Sequence, residues 1–255
     1  MMTFICSHAQ ETIGASNVAM GNNGVAVTNV WSVFNNQAAL AFVEKPELGV
    51  YFGNRYFIRE MATSAIAFAL PTKSGSVGLS LDYFGFTAFN RQKLGLSYAR
   101  MFGDKIAAGF QLDYFGFHIP KYGSRHLITA EAGILAKATT DLTIGFHIFN
   151  PTRVQLAAFN DEKLPVQAKA GCKYDVSDKV SFMSEIIISD AHSPMLRAGI
   201  EYTPVSHFFL RGGIQTIHSF SFGFGYQKAK TRLNLASMYH QYLGFSPVFS
   251  LEHAF

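Results

Sequence analysis

The sequence predicts an all-β fold: an antiparallel transmembrane β-barrel of about 14 strands, preceded by a short N-terminal helical segment. Three observations predict it. From about residue 47 to the end, apolar residues alternate with small or polar ones, the period-2 pattern of strands whose two faces meet different surroundings. Charged residues make up 15% of the chain, against about 25% in ordinary soluble domains, while aromatics also reach 15%. No apolar stretch approaches the roughly 20 residues that a spanning helix needs, so any membrane signal must lie in the alternation.

Taken in order, residues 1–9 are expected to be the remnant of a signal peptide, with an apolar fragment at Phe4 and Ile5 and a small-x-small site at Ser7, His8 and Ala9 ahead of Gln10. Cys6 follows bulky residues, which argues against a lipoprotein signal. Residues 10–45 do not alternate. Gly14, Gly21 and Gly24 lead into an expected helical stretch from Val25 to Phe34 and a second, shorter one around Ala38 to Phe42. Such a segment ahead of a barrel can fold inside it as a hatch, with glycines permitting close packing on the wall. The hatch residues singled out are Gly14, Gly21, Gly24, Asn35, Asn36 and Ala38.

Residues 46–255 read as one barrel domain without a linker. The strands are expected at 47–53, 63–71, 75–86, 91–101, 105–117, 125–138, 141–149, 164–175, 179–189, 194–203, 207–217, 219–228, 230–241 and 246–255. In the clearest strand Phe220, Phe222, Phe224 and Tyr226 share one face, and Ser221, Gly223, Gly225 and Gln227 the other. The same phase places Asp82, Asp113, Glu131, Lys169, Lys173, Glu185, Arg197, Glu201, Arg211 and Arg232 on the lumen side. These charges suit either a polar pathway or a structural network pairing charges inside a narrow, filled barrel. Short polar turns follow even-numbered strands and several longer links follow odd ones, as at periplasmic and extracellular rims. The final strand ends in Phe255 with Phe249 and Leu251 in alternation, the expected assembly signal. Asp82-Tyr83-Phe84-Gly85-Phe86 recurs as Asp113-Tyr114-Phe115-Gly116-Phe117. Two upward strands ending in one aromatic girdle explain the repeat more simply than a duplicated binding element does.

The pattern from Gly14-Ala15 to Met20-Gly21, then Gly24-Val25-Ala26-Val27 and Trp31 to Ala41, resembles the start of the FadL-like outer-membrane barrels, especially the PorV/PorQ-type branch of Bacteroidetes. Where that family typically carries an Asn-Pro-Ala-Gly-Leu-Ala-like motif, this chain has Asn36-Gln37-Ala38-Ala39-Leu40-Ala41, without the Pro and the Gly. Leu94 to Arg100, Arg197 to Tyr202 and Leu243 to Pro247 look like the same branch. The resemblance implies a Gram-negative outer-membrane location and two functions. The first is an accessory or partner subunit of a type IX protein secretion system, with a large translocon or exported client proteins as partners. The alternative is a FadL-like channel with a hydrophobic ligand, which the mostly brief loops fit less well.

Other classes lack their signals. The net charge of +4 is scattered, which gives nucleic-acid binding no footprint. With two cysteines, one of them in the signal remnant, no disulfide framework is available, and the histidines are not at metal-ligand spacing. No cofactor is expected, nor an enzyme: there is no nucleophile elbow or phosphate loop, and Ser80, Ser97 and Ser181 have no adjacent His. A soluble β-sandwich with one shared core also fits the alternation, and a barrel serving only as a docking surface would look the same in sequence.

Overall fold

The computed structural model describes residues 12–120, 123–155, 164–216 and 219–255; the signal remnant lies outside them. Alternation from residue 47 onward produces fourteen strands: β1 (Glu47–Asn54), β2 (Ala62–Thr72), β3 (Gly75–Phe86), β4 (Phe89–Phe102), β5 (Ile106–Ile119), β6 (Gly123–Lys137), β7 (Leu142–Phe149), β8 (Gln167–Ser177), β9 (Val180–Ser189), β10 (Met195–Val205), β11 (Phe208–Gln215), β12 (Ser219–Lys228), β13 (Thr231–His240) and β14 (Gly244–Ala254). Each pairs antiparallel with its sequence neighbours, and β1 pairs with β14 to close the barrel. Closure leaves no edge of unpaired backbone, the condition under which strands can span a bilayer. Among the described residues no helix is long and apolar enough to cross a membrane.

The two faces of each strand separate as the alternation requires. Leu79, Leu81, Leu94, Leu96, Phe110, Leu112, Phe220, Phe222 and Phe224 are 43–59% exposed around the outer wall. A soluble sandwich would bury that face, so the continuous apolar band identifies the chain as an outer-membrane barrel rather than a water-soluble one. Cys172 lies between Ile144 and Ser184 across the outer face. Both ends of the barrel sheet, the start of β1 and the end of β14, sit at the rim of short turns, where Phe255 N donates to Pro46 O at 2.9 Å. Phe249 and Leu251 face outward opposite Phe52 and Val50 of β1. Pro247 falls inside β14, not at its start, but above Val248, the last rung shared with β1. The opposite rim carries the longer connections, including 55–61 and 150–166; by the asymmetry of bacterial barrels it is the extracellular one.

The N-terminal segment departs from the expected pair of helices. It forms α1 (Ala15–Ala19), α2 (Ser32–Asn35) and a 3₁₀ helix (Gln37–Phe42). Val25 to Val30 is not helical: Val25, Val27, Thr28 and Val30 are β-branched, and the amides of Gly24 and Val25 donate to Glu185 of β9 instead of within a helical turn. Helices this short have little stability in water by themselves, since isolated helices under about 12–15 residues are marginal. Packing inside the barrel holds them.

Candidate functional site

The segment from Ile13 to Val43 runs through the lumen, and nearly all of its side chains are buried. The wall makes room for it with glycine. A Cβ on Gly49 would stand 2.9 Å from both Trp31 and Val30, one on Gly78 2.7 Å from Val33, and one on Gly223 2.8 Å from Ala19. On Gly109, Gly133, Gly145, Gly199 and Gly213 it would overlap the segment's backbone or the side chain of Asn36. Small inward residues on β2, Ala65, Ala67 and Ala69, complete the seat.

Within the segment, Gly14 has φ 106° and a Cβ on it would lie 2.6 Å from the Trp31 ring, so no side chain fits there. Gly21 (φ 74°) lies against the backbone of Ala198 and Ile214, and Gly24 against Asn35. Asn35 Nδ2 donates to Ile13 O and Trp31 O, both at 3.0 Å. Asn36 Nδ2 donates to Val25 O at 2.6 Å, and its Oδ1 accepts from Ala38 N at 3.2 Å. The two asparagines therefore tie separate parts of the segment together.

Wall carboxylates hold the segment to the barrel. Glu131 of β6 accepts from Gln37 Nε2 at 2.7 Å. Glu185 of β9 accepts from Gly24 N and Val25 N, each at 3.0 Å. Glu252 of β14 accepts from Trp31 Nε1 at 2.7 Å. Such bonds to charged groups are worth roughly 1.5–3 kcal/mol each, about twice a neutral one.

The lumen charges separate into two layers. On β3 to β10, towards the extracellular side, Asp82 pairs with Arg91 at 2.9 Å and Glu185 with Arg197 at 3.0 Å. Asp113 and Glu131 share Lys93, and His147 Nε2 lies 2.9 Å from Glu131 Oε2. On β10 to β14, towards the periplasmic side, Arg211 pairs with Glu201 at 2.6 Å and donates to Asn234 at 2.8 Å. Arg232 donates twice to Gln227 Oε1 and stacks 4.8 Å from the Phe209 ring, and Asn234 also donates to Glu252. Lys173 pairs with Asp175 near the periplasmic rim. Arg91, Lys93, His147 and Glu252 had not been singled out in the sequence, although each shares the inward phase of its strand.

Above the upper layer, the extracellular half of the lumen holds an aromatic compartment that its own side chains fill: the buried Phe115, Phe117, Leu127, Phe149 and Leu164, with Phe89 and Val154 packed against them. Phe115 and Phe149 meet edge to face at 6.1 Å. The second copy of the repeated motif thus turns Phe115 and Phe117 into the lumen and only Tyr114 outward, which corrects the expectation of one shared lipid-facing girdle: residues 113, 115 and 117 all have the inward parity set by Asp113. Asn150 ties together the described ends of the β7–β8 link, Val154 and Leu164, beside this compartment. Its side chain accepts from Thr129 Oγ1 at 2.7 Å and Val154 N at 3.1 Å, and it donates to Leu164 O at 2.6 Å. Asn150 adopts φ 51°, a conformation that asparagine tolerates better than most residues.

No protein-family model and no curated protein matches the sequence. Solved structures do match the fold. The toluene transporter TodX of Pseudomonas putida superposes with a TM-score of 0.72 at 12% identity, over 96% of this chain and 98% of that one. The toluene transporter TbuX of Ralstonia pickettii gives 0.72 at 11%, over 96% and 99%. A FadL homologue of Pseudomonas aeruginosa gives 0.66 at 13%, over 95% and 97%. At these identities the likeness is one of architecture: the chain has the 14-stranded outer-membrane barrel fold of FadL-like channels.

Proposed function

We propose that this barrel carries small hydrophobic molecules across the outer membrane. They would enter the aromatic compartment from the extracellular side and leave past the inserted segment. The observation that carries the reading is the compartment itself: apolar side chains turned into the lumen at the extracellular end of a lipid-facing barrel, above a separately tethered piece of chain. Lining a lumen with Phe115 and Phe149 suits an apolar solute, whereas a water-filled pore would line it with polar groups. Two similar folds being described as toluene transporters supports the same class.

The test is entry of radiolabelled toluene into cells whose outer membrane lacks other such channels, with and without this protein. Faster entry with the protein, reduced by Phe149→Ala, is expected; equal entry at matched expression would sink the reading. The PorV/PorQ-like blocks of the sequence favour a second reading, a partner subunit of a secretion system. Gentle detergent extraction from the native envelope separates the two: recovery with a very large translocon would put the secretion reading first.

A further inference from the structure

The outer face of the barrel changes character over one sector. On β9 to β12 the outward residues stay apolar up to the extracellular rim, where Ile188, Leu196, Ile214 and Phe220 are all exposed. β4, β5 and β6 are the longest strands, at 14, 14 and 15 residues. Beyond the rung of Leu94, Tyr114 and Ile128 their outward face turns polar, with Gln92 and His126 on one rung and His118 and Ser124 on the next. Such groups are too costly to place in hydrocarbon, so they stand among lipid head groups. The two rungs are one strand repeat apart, about 5 Å along the membrane normal at a tilt of 35–45°. That matches a head-group layer of about 5–7 Å on each side of the hydrocarbon core.

The imidazoles of this face are held by neighbouring hydroxyls. His118 Nδ1 lies 2.8 Å from Ser124 Oγ, and His126 Nδ1 lies 2.8 Å from the Tyr114 hydroxyl, with the Tyr114 and His126 rings stacked at 5.7 Å. Each ring is thus fixed through one nitrogen, and Nε2 of both, like the Gln92 amide, has no hydrogen-bond partner among the described residues. Gly116 lies between them and leaves the face open, since a Cβ there would meet only the His126 ring. No carboxylate shares the face: Asp82, Asp113 and Glu131, the acidic residues of β3 to β6, are all buried in the lumen.

We propose that the outward face of β4 to β6 holds a phosphate-bearing lipid of the outer leaflet, its acyl chains on Leu94, Leu112 and Ile128 and its phosphate against Gln92, His118 and His126. The face continues the lipid-facing wall directly, so acyl chains already lie against its lower half. Its upper half offers amide and imidazole N–H donors with no carboxylate to repel an anion, which is the complement of a phosphate. The wall of β9 to β12 supplies the apolar half alone and has nothing to select a head group. This site lies outside the barrel and does not depend on what passes through the lumen.

The experiment is native mass spectrometry of the full chain released from detergent, titrated with bisphosphorylated lipid A and, separately, with the same lipid after removal of both phosphates. The wild type should retain the phosphorylated form at least several-fold more strongly. A variant combining Gln92→Ala, His118→Ala and His126→Ala should lose that preference while still binding both lipids weakly, and Ile128→Ser should weaken both forms alike. All of these substitutions are on exposed side chains, and the heat-induced gel shift verifies that each barrel is folded; His118→Ala and His126→Ala alone should each lower the preference in part. Equal retention of the two lipids by the wild type overturns the proposal, as does an unchanged preference in the triple variant. Displacement of the lipid by inorganic phosphate at the same concentration would identify a free-anion site instead, and lipid-independent dimers lost in the triple variant would identify a contact between two copies; either result overturns the lipid assignment.

Discussion

The two arcs of the barrel treat the same inserted segment differently. Along β5, inward residues pass from Ala107 and Gly109 through Gln111 and Asp113 to Phe115 and Phe117. Along β4, read the other way, they pass from Ala99, Ser97 and Gly95 to Lys93, Arg91 and Phe89. On this arc the segment has small residues beside it, then charge, then aromatic rings towards the outside. On β10 to β13 the glycines Gly199, Gly213 and Gly223 also receive the segment, but the charged layer of Glu201, Arg211 and Arg232 lies towards the periplasm. The difference teaches that one charged layer contacts both segment and compartment, whereas the other is confined to the periplasmic end and serves support.

The strongest way to break this comparison is to fill a seat. Gly213→Val and Gly133→Val each place a branched side chain where segment atoms already lie, one on each arc. Overpacking usually costs about 1–3 kcal/mol when neighbours can adjust, but here the neighbours are segment backbone for Gly213 and the buried Asn36 side chain for Gly133. The expected outcome is a folded barrel with an expelled segment. Trp31, the single tryptophan, reports it directly: it is fully buried in the wild type, so its emission should move to the red and residues 13–43 should become cleavable by proteinase K. A blue, protected Trp31 in both variants would refute the glycine seat.

Next in size is removal of a charge from each layer. Arg211→Ala strands Glu201 and leaves Asn234 Oδ1 without its donor; breaking a buried pair in this way costs about 3–5 kcal/mol. Lys93→Met should cost a similar amount by stranding Asp113 and Glu131. Denaturant unfolding in detergent measures both. The sharpening lies in transport at a permissive temperature, where Arg211→Ala should retain toluene entry per folded molecule and Lys93→Met should change it. Equal transport by the two variants would erase the distinction between the layers.

A smaller effect is expected from Trp31→Phe, which keeps the ring's packing and deletes the bond to Glu252. Asn234 still donates to that carboxylate, so the loss should be about 1–3 kcal/mol, measured as a lowered temperature for the heat-induced gel shift of the barrel. A loss near zero would mean that Glu252 does not tether the segment.

Much of this was legible because strand parity is strict. Phe220, Ser221 and their neighbours revealed a wall with two unlike faces, and strand limits such as 75–86 and 219–228 coincide with β3 and β12. The same parity would have found Lys93, His147 and Glu252, and would have turned Phe115 inward, had apolar residues not been assigned to lipid by chemistry alone. The segment was harder to read because its conformation follows from the surrounding wall: Gly24 and Val25 direct their amides to Glu185, about 160 residues away in sequence, and no local period encodes that. The seat was likewise scattered, one glycine per strand, and looked like ordinary inward small residues until the segment lay against them.

The smallest expected effect concerns the repeated motif. Gly85 and Gly116 occupy the same place in its two copies, yet their surroundings differ. Gly85 has φ 106° and its Cβ would collide with the backbone of Phe89, whereas a Cβ on Gly116 would meet only the His126 ring, at 3.6 Å. Gly85→Ala should therefore destabilise by more than about 1 kcal/mol, since the residue cannot adopt the required backbone conformation. Gly116→Ala should stay within about 0.5 kcal/mol of wild type, like other substitutions away from strained or buried features. A duplicated binding element would need both glycines for the same reason. If both variants instead lose toluene entry to the same extent while remaining folded, the repeat carries a shared function; unequal stabilities with unchanged entry mean that the two copies share a sequence but not a task, the first closing a tight hairpin and the second lining the compartment.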